Sequence, residues 1–142
     1  MLKIQMTSTF QGASIMTALV FIVAISAFTA NAQAPAASGV VGDAARGEEH
    51  FEATCAECHG AAATAPTLRG VINRPIGSVE SFTGYSEAMK AKKSMTWTKE
   101  NLNTYLKSPP TFVPGNYMYR EFPDAQMRAD IIAFLETLPP PK

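Results

Sequence analysis

Two thiols and an imidazole stand together in Cys55-Ala56-Glu57-Cys58-His59. Cysteines three positions apart, followed at once by histidine, form the pattern through which a c-type haem is attached: both thiols become thioethers and the imidazole ligates iron. Other chemistries fit these residues poorly. A thioredoxin-like pair needs a buried strand and a βαβ context before it, and here a polar, helix-like segment, Asp43 to Thr54, precedes it. A structural zinc site would have to take His50, Cys55, Cys58 and His59 from one short stretch, with no second ligand pair at a distance. A disulfide between Cys55 and Cys58 would close a very short loop and add little stability. One covalent haem c, bound through Cys55 and Cys58 with His59 on the iron, is the expected cofactor.

A histidine on one face of the iron leaves the other open, and what fills it decides between electron transfer and small-molecule chemistry. No histidine follows His59, so the seven methionines compete. Met1, Met6 and Met16 belong to the N-terminal segment, and Met127 lies on the apolar stripe of the last helical pattern. Met89 and Met95 flank a lysine-rich turn and read as packing near the pocket floor. Met118 sits in a proline-glycine loop between two helical segments, where a thioether can reach the far face of a plate held by His59. It is the preferred second metal ligand. His50, before the motif, reads as a surface residue.

The elements that must position these groups are helical. Asp43 can cap a helix in which Ala44, Gly47, Phe51 and Thr54 share a face, delivering Cys55 at its end. From Gly60 to Gly84 there is only turn chemistry, a length of irregular chain that is unusual unless it wraps something. Short helices are expected from Ser86 to about Lys92 and from Thr98 to Lys107, the second stopped by Ser108-Pro109-Pro110. The clearest element is the last, capped by Asp124, with Met127, Ile131, Phe134, Leu135 and Leu138 on one stripe. No strand pattern or repeat is visible, so the fold class is all-α, with short helices and long loops around one haem.

The first 34 residues differ in kind. Lys3 precedes an apolar run from about Ile15 to Ala30, no acid occurs before Asp43, and the small residues at Ala30-Asn31-Ala32 and Ala32-Gln33-Ala34 offer cleavage after Ala32 or Ala34. Residues 1–34 are read as a secretory signal, 35–42 as a flexible tether, and 43–142 as the functional domain. An uncleaved anchor is the competing reading, although the run falls just short of the roughly 17 to 25 residues of a spanning helix. Either way the domain is expected outside the cytoplasm, in the periplasm, where lone thiols would pair unless haem attachment consumes them. A formal charge of +0 over 142 residues gives no basis for a nucleic-acid partner.

From about Gly42 to Leu138 the chain resembles the class I cytochromes c, in their mitochondrial and soluble bacterial forms. Gly47-x-x-x-Phe51 is similar to that family's first helix, where glycine admits the last helix closely, and Phe134 stands at the last helix's aromatic position. Thr64-Ala65-Pro66-Thr67-Leu68 resembles the segment whose proline carbonyl accepts the proximal imidazole N–H, which would orient His59. Arg74, Tyr85 and Trp97 match positions that contact or enclose the haem propionates; by themselves they read as a surface arginine and two core aromatics. Tyr105 and Asn116 match positions beside the axial methionine, where a hydrogen bond could tune the sulfur, and Pro114-Gly115-Asn116-Tyr117-Met118 resembles the methionine loop. Three features depart from the pattern: Met89 replaces a frequent asparagine, the stretch before Trp97 is one residue longer, and after Met118 the run Tyr119-Arg120-Glu121-Phe122 puts a charge where an aromatic is common.

The expected function is a one-electron carrier between respiratory or photosynthetic redox partners, and not an enzyme. The alternatives are a dedicated electron acceptor of one periplasmic dehydrogenase, which differs only in surface, and a haem peroxidase or gas-binding protein, which would need an open iron position or a distal acid-base residue. Partners would be redox proteins or membrane complexes bound transiently by a monomer, with no small-molecule substrate. Five acids between Asp43 and Glu57 and five lysines between Lys90 and Lys107 form two oppositely charged regions that could orient docking.

Overall fold

The computed structural model describes residues 39–141, which belong to one compact unit. The expected signal with its cleavage sites, and the start of the tether, lie outside the described residues. Six helices occur among the described residues: α1 Ala44–Thr54, α2 Ala56–His59, α3 Glu87–Lys90, α4 Lys99–Lys107, α5 Pro109–Phe112 and α6 Ala125–Thr137. Extended pairing among them is limited to one antiparallel bridge, Pro75 with Thr96. No described helix is long and apolar enough to cross a membrane.

Side-chain caps set most of the helix starts. Asp43 accepts from the Ala45 and Arg46 N–H groups at 2.9 and 3.1 Å. Ser86, Thr98 and Asp124 do the same for the third residue of α3, α4 and α6, satisfying donors that a helix leaves free at its N-terminus. Two local expectations change. The segment from Ser86 to Lys92 is helical only over Glu87–Lys90, the rest being turn. Pro109-Pro110 does end α4, but it also opens the single turn α5, because a proline's fixed φ and missing N–H suit the first turn of a helix.

The frame of the domain is the crossing of α1 and α6. A methyl group on Gly47 would collide with the Asp130 carbonyl, and one on Gly42 with that of Ala129, so glycine is what lets the two backbones touch. Phe51 and Phe134 close the crossing with ring centroids 5.2 Å apart. The stripe on α6 differs from the apolar one expected. Ile131 and Leu135 are buried, but so are Arg128 and Asp130, while Met127, Phe134 and Leu138 pack against the core only partly buried.

Asp130 is the staple of that crossing. Its carboxylate accepts from the Asp43 N–H at 2.7 Å, from Arg46 Nε and Nη2 at 3.0 and 3.2 Å, and from Gln126 Nε2 at 2.8 Å. The Arg46 guanidinium, helped by those N–H groups and opposed by burial, holds its carboxyl down at about 2. The ordinary value for aspartate is about 3.9, so the stability it lends is complete above about pH 4 and is lost as pH falls toward 2. Asp130→Asn should therefore melt below the wild type at pH 7, with the gap closing between about pH 4 and 2. A gap independent of pH in thermal melts would show that the carboxylate does not hold the crossing.

Candidate functional site

α1 ends where the motif begins. Cys55 closes α1, its N–H bonding to the Phe51 carbonyl at 2.7 Å, and the chain turns at once into α2. This one-turn helix was not visible in the sequence, since four residues carry no periodicity. Its effect is to bring Cys55, Cys58 and His59 to the wall of one cavity. Cys55 is buried and Cys58 exposed, and no disulfide joins them. Burial pushes the Cys55 thiol up, against a weak contact at 3.5 Å from the Thr54 hydroxyl.

The imidazole of His59 is oriented by the backbone: Nδ1 lies 2.7 Å from the Pro66 carbonyl oxygen. A carbonyl can only accept, so Nδ1 carries the proton and Nε2 keeps its lone pair. Burial lowers the His59 pKa against the opposing pull of that carbonyl, which favours the neutral ring. The zinc alternative gains nothing, since among the described residues no three His, Cys, Asp or Glu side chains gather to hold a metal ion.

The cavity has a volume of about 270 Å³. The irregular stretch supplies Pro66, Leu68, Val71, Arg74, Phe82 and Tyr85. Met89 comes from α3, Trp97 from the loop before α4, Leu102, Tyr105 and Leu106 from α4, and Ile131 and Leu135 from α6; Tyr117 and Met118 complete the wall. Met89 thus packs at the cavity as expected. Met95 is partly buried against the core, and His50 is half-buried. Phe82 went unnoticed in the sequence because it lies among turn residues, where burial leaves no pattern.

Of the residues singled out by resemblance, Pro66, Arg74, Tyr85, Trp97 and Tyr105 all line the cavity and Asn116 does not. Asn116 stands behind the wall at 2% exposure, where it organises the loop that carries Met118. That loop starts with a tight turn, Val113 to Asn116, closed by the Asn116 N–H on the Val113 carbonyl at 3.0 Å. Pro114 and Gly115, the latter at φ +85°, supply the two central conformations such a turn requires. Downstream, the Phe122 N–H returns to the Leu106 carbonyl at 2.9 Å. Arg128, which sequence reading passed over, ties the Phe122 and Pro123 carbonyls to α6 at 2.7 and 2.8 Å and reaches Asn103 on α4.

A haem is an apolar plate with anionic propionates at one edge, and the wall fits both properties. Its aliphatic and aromatic lining matches the plate. Arg74 spends its hydrogen bonds on the carbonyls of Arg69 and Thr67, at 2.9 and 2.7 Å, so its guanidinium meets no carboxylate among the described residues. Burial lowers its pKa, against the favourable charge of Tyr85, and a half-buried cation with no carboxylate partner among the described residues is a receptor for an anionic group. The Trp97 backbone is pinned beside it, its amide N–H donating to the Arg74 carbonyl at 2.9 Å and its carbonyl accepting from the Asn73 N–H at 3.0 Å.

Comparison with known proteins follows the same outline. The family model described as cytochrome C oxidase, cbb3-type, subunit III matches residues 42–107. Cytochrome c-type cyt cy of Rhodobacter capsulatus is 47% identical over 104 residues, covering 70% of this chain and 51% of that protein. The match thus spans about half of that relative's length. Cytochrome c2 of Rhodopila globiformis is 42% identical over 102 residues, 68% of this chain and 94% of that one. The solved structure of cytochrome cH from Methylobacterium extorquens superposes with a TM-score of 0.62 at 36% identity, over 68% of this chain and 99% of that one. With its attachment motif at the end of α1, its helical frame and the largely apolar cavity beside that motif, the chain belongs to the class I cytochromes c, electron-transport proteins carrying a covalently bound haem c.

Proposed function

We propose that this cytochrome is a periplasmic one-electron carrier whose iron is held between His59 and Met118. The observation that carries the reading is that an imidazole with a free Nε2 and a loop-borne thioether face one largely apolar cavity. When bound, the haem supplies reversible exchange of a single electron at iron. Cys55 and Cys58 would hold it covalently, the Pro66 carbonyl keeps the His59 ring in one tautomer and would make it a better donor, and Arg74, Tyr85 and Trp97 would face the propionates. Tyr105 and Asn116 stand at the methionine side. With His59 and Met118 both taken up as ligands no position would be left for a substrate, and an imidazole with a thioether in an apolar wall would favour the reduced state.

Export rests on the N-terminal 34 residues, read as a signal cleaved after Ala32 or Ala34, followed by the tether 35–42 and the domain 43–142. Transient redox partners, proteins or membrane complexes, meet a monomer with separated charge: the acids of α1 on one element and the lysines of residues 90–107 on others.

Two outcomes are expected. Met118→Ala in the haem-loaded, reduced protein should bind carbon monoxide readily where the wild type excludes it; equal binding by both would remove Met118 from the iron. Mass spectrometry of the secreted holoprotein should give a chain starting at Gln33 or Pro35, whereas a full-length, membrane-retained chain would establish an anchor in place of a cleaved signal.

A further inference from the structure

The segment that leaves α6 is seated on a turn at the cavity wall. Leu138 has extended backbone, φ −78° and ψ 113°, the region to which a following proline confines a residue. Its carbonyl accepts from the Gly70 N–H at 3.0 Å. Pro140 packs on the same glycine: a Cβ built on Gly70 would come within 2.8 Å of the Pro140 Cα. Two prolines make this segment a stiff strap, because the ring fixes φ before the chain folds.

Gly70 holds the third place of the turn from Leu68 to Val71, which the Val71 N–H closes on the Leu68 carbonyl at 3.1 Å. Its φ of +61°, with no positive φ at Arg69, makes the turn type II. The central peptide of a turn faces opposite ways in types I and II. Here that peptide is the Arg69–Gly70 unit, and both of its polar groups are engaged. Its N–H donates to Leu138, and its carbonyl oxygen accepts from Arg74 Nη1 at 2.9 Å. Arg74 Nη2 donates to the Thr67 carbonyl, at the foot of the same turn, at 2.7 Å. One planar group therefore joins the strap to the guanidinium, and turning it over would break both bonds at once.

We propose that Leu138, Pro139 and Pro140 form a positioning strap for Arg74: by holding the Arg69–Gly70 peptide in its type II orientation, they keep the guanidinium at the cavity wall to compensate the propionates. This rests on Arg74 as the partner of the propionates. Taking positive charge away from the haem disfavours an added electron, so a loosened strap lowers the share of reduced protein at a fixed potential.

The test is a redox titration of the holoprotein. Arg74→Gln should lower the reduced-to-oxidised ratio at a fixed potential by at least about threefold. Pro139→Gly with Pro140→Gly should lower it by at least about twofold, and adding that pair to Arg74→Gln should lower it no further. General loosening of the fold would instead add to Arg74→Gln. A proline pair without effect, or with the same effect whether Arg74 is present or not, would overturn the proposal. If the glycine pair does not take up haem, the link is read from its other end: Arg74→Gln should speed exchange of the Gly70 N–H by at least about threefold, and an unchanged rate would reject it. Failure of the propionate reading looks different, because Arg74→Gln would then leave the redox ratio unchanged while still speeding exchange at Gly70.

Discussion

Everything at the haem site depends on two backbones touching where α1 crosses α6. Gly47 permits the approach, and the buried carboxylate of Asp130 fixes it by binding the α1 entry through the Asp43 N–H and Arg46. That crossing settles the position of Cys55 at the end of α1 and of Ile131 and Leu135 on the cavity side of α6. A paired, fully hydrogen-bonded buried charge contributes less to net stability than its contacts imply, because desolvation opposes them. Its contacts join the α1 entry to α6 and so tie the register of one helix to the other.

Around this frame the domain divides its polar groups by task. His59 and Asn116 spend their donors on backbone oxygens, and Arg128 spends its Nη1 group on two more, so they fix irregular chain that has no ladder of its own. Arg74 does the same with part of its guanidinium and keeps its charge for the cavity. The core proper is small: Val71, Ile76, Val113, Ile131 and Leu135 are almost wholly buried, and a domain of this length gains much of its apolar burial from the group it encloses.

Much of this was legible in the chain. The attachment motif is specific because its three residue types do different chemistry at fixed spacing, and the first and last helices show strong periodicity and side-chain caps. The proline-glycine turn before Met118 could be read from the conformations those residues adopt. What could not be read was anything decided by contacts across the fold. Arg128 and Asp130 look like surface charges on an amphipathic helix, and only the arrival of Asn103, Phe122, Arg46 and Asp43 makes them buried partners. Asn116 could be placed beside Met118 by resemblance, but its orientation toward the Met118 amide follows from where the Pro109 and Val113 carbonyls lie.

The central claim is that protein groups occupy both faces of the iron. The optical spectrum of the purified, oxidised wild-type holoprotein addresses it without any substitution: a low-spin ferric spectrum with a weak red methionine–iron band is predicted. A high-spin ferric spectrum lacking that band would show an open iron position and contradict the assignment of this chain as a closed, His59/Met118-ligated electron carrier.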